Sequence, residues 1–383
     1  MFYARAITNS APIPYNSLCK IGMGVKKLIT ISLCMIVKNE EDVLERCLNC
    51  AKEFADEIII VDTGSTDKTV EIAKKFTDKV YHFKWVNDFS KARNYSFSKA
   101  TMDYIMWMDA DDVVLPEDIE KIKELKKTLD KSVDCVMMKY NIAFDENGNP
   151  TFSYYRERLL KREKNFTWHE PVHECITPSG NIIEVDIAIT HKKEKHTSSD
   201  RNLKIYESLI MQGEKLSPRG QLYYARELSD HGKFDKAIAQ FEKFLKIPNT
   251  WIEDFVTACL KLSHCYRMIN EKEKALGVLF KTFERTTPRP EVCCNIASIL
   301  FEKGMLNEAK FWYELVLNLK QEKTWGFVNH DYLGFIPAIQ LCVIYDRLGD
   351  REQAIKYNNL AKKFKPNHPS VLYNEKYFES VKK

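Results

Sequence analysis

The chain has 383 residues, 44% of them hydrophobic and 29% charged, with a formal net charge of +4. That length allows two or three domains and a full core. The charge is too small for the chain's size to argue for nucleic-acid binding, and no apolar run approaches the ~20 residues that cross a membrane. The eleven cysteines are scattered and odd in number. Cys47 and Cys50 have no second pair at zinc-finger spacing, so they read as structural thiols, suited to a reducing cytoplasm.

In chain order, residues 1–27 carry two prolines and no periodicity. They read as a loose arm, or as residues ahead of a translation start at Met23, without the apolar core of a signal peptide. The run Ile31–Val37 predicts a strand that breaks at Lys38, Asn39 and Glu40. A helix follows, with Val43, Leu44, Cys47 and Leu48 on one face. Glu57–Asp62 predicts a second strand, running out into Thr63–Asp67 and a helix carrying Val70, Ile72, Ala73 and Phe76. Near-continuous apolar runs alternating with amphipathic helices predict parallel βαβ units. Ligands of such sheets gather beyond the carboxyl ends of the strands. Asn39, Glu40, Asp62, Thr63 and Asp109 all fall at such ends.

Asp109 follows the apolar run Tyr104–Met108 and opens the sequence Asp-Ala-Asp-Asp, ending at Asp112. Carboxylates crowded at a strand end raise one another's pKa; a divalent cation relieves that cost and can then grip a diphosphate. An Asp-x-Asp alone is commonly an acidic surface turn, but here the buried strand leading into it points to a site.

Further on, the basic run Arg156 to Arg162 precedes Trp168–Glu174, Trp-His-Glu-Pro-Val-His-Glu. His169 and His173 have the His-Glu-x-x-His spacing of zinc proteases, but Pro171 breaks the helix that would place both on one face. The strand around Ile187–Ile189 leads to His191, followed by Lys192, Lys193, Lys195 and Arg201. Beyond Arg201 helical periodicity dominates. Ala237, Ala275, Ala309 and Ala354 each follow a turn residue (Gly232, Asn270, Gly304, Gly349) by five positions, and the alanines are 38, 34 and 45 residues apart. With spacing scattered about 34, this part resembles about four degenerate tetratricopeptide units, whose apolar faces are buried only by stacking; a generic helical bundle is the competing reading.

Four pieces, Met35–Glu41, Val61–Asp67, Trp85–Asn94 and Asp109–Asp112, occur in the order in which they resemble the family 2 glycosyltransferases of the GT-A fold. The resemblance extends over roughly residues 30 to 205. One branch of that family joins the catalytic domain to tetratricopeptide repeats and includes the sublancin-type peptide S-glycosyltransferases and lipopolysaccharide-core transferases. The resemblance implies an α/β GT-A domain over residues 28–200 and an all-α repeat domain over residues 201–383.

It also implies roles. Glu40 and Asp62 take uracil and ribose, with Thr63 and Ser65 beside them. Ser65 and Asp67 equally suit caps of the following helix. Arg93 serves the nucleotide diphosphate or an ion pair that positions the acidic cluster. Asp111, the third position of the motif, is the first metal ligand. Asp109 touches ribose or a metal-bound water and Asp112 the donor sugar. His191 completes the metal site, and the basic loop through Arg201 closes over the diphosphate; a plain solvated linker is the competing reading of that loop. The cation is Mg²⁺ or Mn²⁺, as an oxygen-rich site prefers. The family branch has a Val-His-Glu where this chain has Val172–Glu174, which makes Glu174 the base of an inverting transfer, with His173 and then Glu170 behind it.

The expectation is thus a cytoplasmic, metal-dependent glycosyltransferase with a UDP-sugar donor. Its repeats recruit a protein or peptide acceptor or form a homodimer. Transfer to a glycan or lipopolysaccharide core, and a repeat scaffold with an inactive transferase domain, are the alternatives.

Overall fold

The computed structural model of the chain describes residues 28–145, 148–192, 200–320, 326 and 328–381. The amino-terminal arm, and Lys193 and Lys195 of the basic loop, lie outside the described residues.

The first domain is built on strands β1 (Ile31–Val37), β2 (Glu57–Asp62), β3 (Val80–His82) and β4 (Tyr104–Trp107), parallel in the order β3-β2-β1-β4. Helices α1 (Leu44–Ala51), α2 (Thr69–Ala73) and α3 (Phe89–Phe97) make the crossovers. Leu33 and Met35 of β1 are buried against Leu44 and Leu48 of α1, while Cys34 points into a second core with Phe97 and Trp107. Burial on both faces is why these strands read as unbroken apolar runs. The strand order turns back on itself between β1 and β4, and the crevice at such a point is where open sheets bind ligands.

The rest of the sheet is antiparallel or mixed. After β5 (Asp112–Val113) and α4 (Pro116–Thr128) come β6 (Cys135–Phe144), β7 (Pro150–Lys161), the short pair β8 (Trp168–His169) and β9 (Cys175–Ile176), and β10 (Ile182–His191). The order continues β4-β7-β6-β10-β5. Sequence periodicity foresaw the end of β10 but not the β6–β7 hairpin inserted beside β4. β7 has an extra residue: Val136 opposes Leu159 and Met137 opposes Glu157, so Arg158 bulges from the ladder. A bulge re-aims its side chain, and here it places Arg158 beside the acidic cluster.

The second domain begins with α5 (Arg201–Met211). Four helix pairs follow: α6 (Pro218–Asp230) and α7 (Phe234–Leu245), α8 (Ile252–Met268) and α9 (Lys272–Phe280), α10 (Pro290–Glu302) and α11 (Leu306–Asn318), and α12 (Phe335–Arg347) and α13 (Arg351–Phe364). Helix α14 (Pro369–Ser380) covers the end of the stack. Ala237, Ala275, Ala309 and Ala354 are wholly buried, one in the second helix of each pair. The turn residues Gly232, Asn270, Gly304 and Gly349 all have positive φ, between 63° and 85°. A left-handed residue ends each first helix cheaply only when it is Gly or Asn. The long final spacing comes from an insertion between α11 and α12. It carries β11 (Val328–Asn329), which leaves the repeats and pairs antiparallel with β7 at Ser153 and Phe152. Among the described residues, no helix is long and apolar enough to cross a membrane.

Candidate active site

The carboxyl ends of β1 and β2 are laced together. Asp62 is nearly buried and accepts from the backbone N–H groups of Gly64 at 3.1 Å and Ser65 at 3.0 Å. Gly64 makes the turn with φ of 108°. The Ser65 hydroxyl accepts from the Asn39 N–H at 3.0 Å, and Asn39 in turn accepts from the Thr66 N–H at 2.8 Å. The Thr63 hydroxyl is spent on the Val37 carbonyl at 3.1 Å. Asp67 accepts from the N–H groups of Thr69 and Glu41, so it works as a cap and brace. The Glu40 N–H donates to the Thr69 hydroxyl at 2.7 Å, fixing Glu40 at the mouth of the crevice.

The acidic cluster divides in two. Asp112 lies in β5 directly opposite His191 of β10. One ligand atom each from Asp111, Asp112 and His191 lies within 4.8 Å of the others. His191 Nδ1 is 3.3 Å from a carboxylate oxygen of Asp111 and of Asp112. Hydrogen bonds to Asp111 and then Asp112 push its imidazole up to about 10. Two carboxylate oxygens and an imidazole nitrogen converging on one point fit a divalent cation. Asp112 is fully buried and heavily engaged. It accepts from Tyr140 Oη at 2.7 Å, from the Asp109 N–H at 3.1 Å and from Arg158 Nη1 at 3.4 Å. Asp111 keeps a quarter of its side chain exposed.

Asp109 turns away from this trio to Arg93. The α3 helix that carries Arg93 is capped by Asp88, which accepts from the Lys91 N–H at 3.1 Å. The guanidinium lies near the rings of Trp107 and Trp168, at 5.1 and 4.8 Å. Its Nη2 donates to Asp109 at 2.7 Å and its Nε to Glu174 at 2.6 Å. Burial pushes the Asp109 carboxyl up, but the Arg93 and Arg158 charges outweigh it and hold it below the usual carboxylate value.

Glu174 stands at the end of the loop between β8 and β9, with 12% of its side chain exposed. The other two base candidates are committed elsewhere. His173 Nε2 meets Glu227 of α6 at 2.7 Å, and its ring stacks on Tyr223 at 4.3 Å. Glu170 accepts from the Ser217 hydroxyl at 2.6 Å. His169 lies in β8 and His173 in the loop, so the two do not share a helix as a zinc protease would need. Arg201 sits over the Phe89 ring at 4.7 Å, at the junction of the domains.

Three neighbours of the site were given no role in the sequence analysis: Tyr140, Arg158 and Glu227. Arg158 is wholly buried, 3.7 Å from the Trp107 ring and 4.3 Å from that of Tyr140. The available signal was an arginine set directly against Leu159 and Leu160, a charge beside the apolar end of a strand.

Residues 32–182 match Glycosyl transferase family 2, and residues 290–323 match the tetratricopeptide repeat. The chain therefore carries a family 2 glycosyltransferase domain of GT-A type, joined to tetratricopeptide repeats. Glycosyltransferase SunS of Bacillus phage SPbeta is 31% identical over 227 residues, covering 56% of this chain and 53% of SunS. A TPR repeat-containing protein of Synechococcus elongatus is 35% identical over 150 residues, 39% of this chain and 36% of that protein. The matches thus span about half or less of these relatives' own length. Among solved structures, YrrB, described as a TPR protein with an unusual peptide-binding site, is 19% identical. It covers 46% of this chain and 83% of YrrB, with a TM-score of 0.35.

Proposed function

We propose that the chain is an inverting, metal-dependent glycosyltransferase that moves a sugar from a UDP-linked donor to a protein or peptide. The observation that carries this reading is the Arg93 bridge, which ties Asp109 at the acidic cluster to Glu174 of the Val-His-Glu loop. An inverting transfer needs a base facing the anomeric carbon from the side opposite the leaving diphosphate. A single guanidinium spanning the two carboxylates holds the base and the nucleotide end of the crevice in one frame.

Asp111 and His191, backed by Asp112, would hold Mg²⁺ or Mn²⁺. The cation supplies positive charge to the departing diphosphate. Glu40 and Asp62 accept hydrogen bonds from uracil and the ribose hydroxyls. Glu174 takes the proton from the acceptor hydroxyl or thiol. The stacked repeats offer an extended surface for a peptide, and the resemblance to the sublancin-type peptide S-glycosyltransferases supports that acceptor class.

Incubation with UDP-glucose, UDP-galactose and UDP-N-acetylglucosamine in Mn²⁺, reading released UDP, tests the proposal. Metal-dependent release from at least one donor is expected. Release that persists in EDTA overturns the metal role, and no release from any donor overturns the reading as a whole.

A further inference from the structure

We infer that the first repeat helices position the base: Glu227 of α6, acting through His173, holds the loop that presents Glu174. This rests on reading Glu174 as the base. The loop between β8 and β9 contains two non-glycine residues in the left-handed region, Glu170 at φ 72° and His173 at φ 54°. Such residues are strained and persist where their surroundings over-determine them.

Here those surroundings come from the repeat domain. Val172 is 2% exposed and belongs to the core of the repeats, not to that of the sheet. Its carbonyl accepts from Tyr206 Oη of α5 at 3.2 Å. The His173 carbonyl accepts from Arg219 Nε of α6 at 3.3 Å. The His173 ring is clamped between the Glu227 carboxylate and the Tyr223 ring. Glu227 is itself fixed by Asn202 of α5, whose Nδ2 donates to it at 3.1 Å. On the catalytic side, the Phe89 N–H donates to the Pro171 carbonyl at 2.9 Å, and Arg93 holds Glu174. Glu174 therefore hangs between an arginine of one domain and a residue locked to the other. The domain proposed to recruit the acceptor also sets the base that deprotonates it. Glu227 is a positioning residue, acting through His173 and one residue removed from the reacting atoms.

The test uses the full chain with Glu227→Ala, Glu227→Gln and Tyr223→Leu. It reads UDP release from whichever of the three UDP-sugars the wild-type protein turns over, together with UDP affinity by calorimetry and a melting curve. In Glu227→Ala, kcat should fall about 10- to 100-fold, as a misplaced catalytic group does, while donor KM and UDP affinity stay at wild-type values. Glu227→Gln, whose amide oxygen still accepts from His173, should recover most of kcat. Tyr223→Leu should fall in the same sense, and it carries the test if Glu227→Ala does not fold. A folded Glu227→Ala with wild-type kcat overturns the inference. So does a fall in UDP affinity parallel to kcat, or failure of both variants to fold, since each makes the role merely structural. Glu174→Gln separates the two failures. If it turns over normally, the base reading falls and the inference with it; if it is dead while Glu227→Ala is normal, only the inference falls.

Discussion

Arg93 Nε lies 2.6 Å from the carboxylate of Glu174, and this contact joins α3 to the loop between β8 and β9 across 81 positions of sequence. Each element reaches the crevice by its own route, and the guanidinium is where the routes meet. Because Asp109 hangs from the same group, the charge of two carboxylates is offset by one arginine seated among tryptophan rings.

Arg93→Met should therefore cost both turnover and stability. It takes from Asp109 and Glu174 the one guanidinium that both contact. Asp109 keeps 35% of its side chain in water, which places the loss at or below the low end of what a broken buried pair costs, about 2–3 kcal/mol. Thermal melting should drop by roughly 5 °C or more. A variant that melts like the wild-type protein would show that the bridge is not structural.

Asp111 and Asp112, members of one trio with His191, should separate by mutation. Asp111→Asn keeps the fold and loses on the order of 10²–10³ in turnover, the usual scale for losing stabilisation of developing charge. Asp112→Asn leaves the wholly buried Arg158 without its carboxylate partner and should destabilise by about 3–5 kcal/mol. Melting curves and Mn²⁺ titration on both variants check this; equal melting temperatures would contradict the division of roles.

Acid should loosen the domain joint. Burial pushes the Glu227 carboxyl up, but hydrogen bonds from His173 and Asn202 outweigh that and hold it below its ordinary value of 4.5. A carboxyl lowered on folding contributes stability that is fully present above its unfolded value and is lost as pH falls through the folded one. The melting temperature of the wild-type protein should hold above that value and decline below it. Glu227→Gln should show a shallower decline between pH 5 and 3, about the span over which a lowered carboxyl titrates. Identical slopes in the two proteins would remove Glu227 from the account.

A chain ended at residue 200 should not behave as a free-standing transferase. It exposes Val172, whose partners lie in the repeats, and it strips His173 of Glu227 and Tyr223. Light scattering and circular dichroism should report association or an early melt. A monomeric truncation with the full-length melting temperature would show that the joint is dispensable.

Much of this was legible because period and burial agree. β1, β2 and β4 are sealed on both faces, so their sequences are unbroken apolar runs. The alanines recur because only a small side chain fits where paired helices meet. β7 escaped because its charges turn inward: Arg156 pairs with Glu157, and Arg158 reaches Asp112 and the Trp107 ring inside the protein. A reading that sends charge to solvent cannot see that. The Val-His-Glu segment was recognised, but its neighbours are set by a domain contact with no period. Nothing in the letters told that His173 turns to α6 while Glu174 turns to α3.

β11 gives the second domain a further attachment. The repeats leave the sheet after β10, grip the loop before β9 through α5 and α6, and return ahead of α12 to lie along β7, where Ser153 Oγ meets His330 Nε2 at 2.8 Å. The arc of three helix pairs between these points is spanned like a bridge with an abutment at each end. It can flex, but it cannot swing open about one hinge. An arc held at both ends moves both of its attachments when it bends, the stretch of β7 around Ser153 at one and the loop that ends in Glu174 at the other.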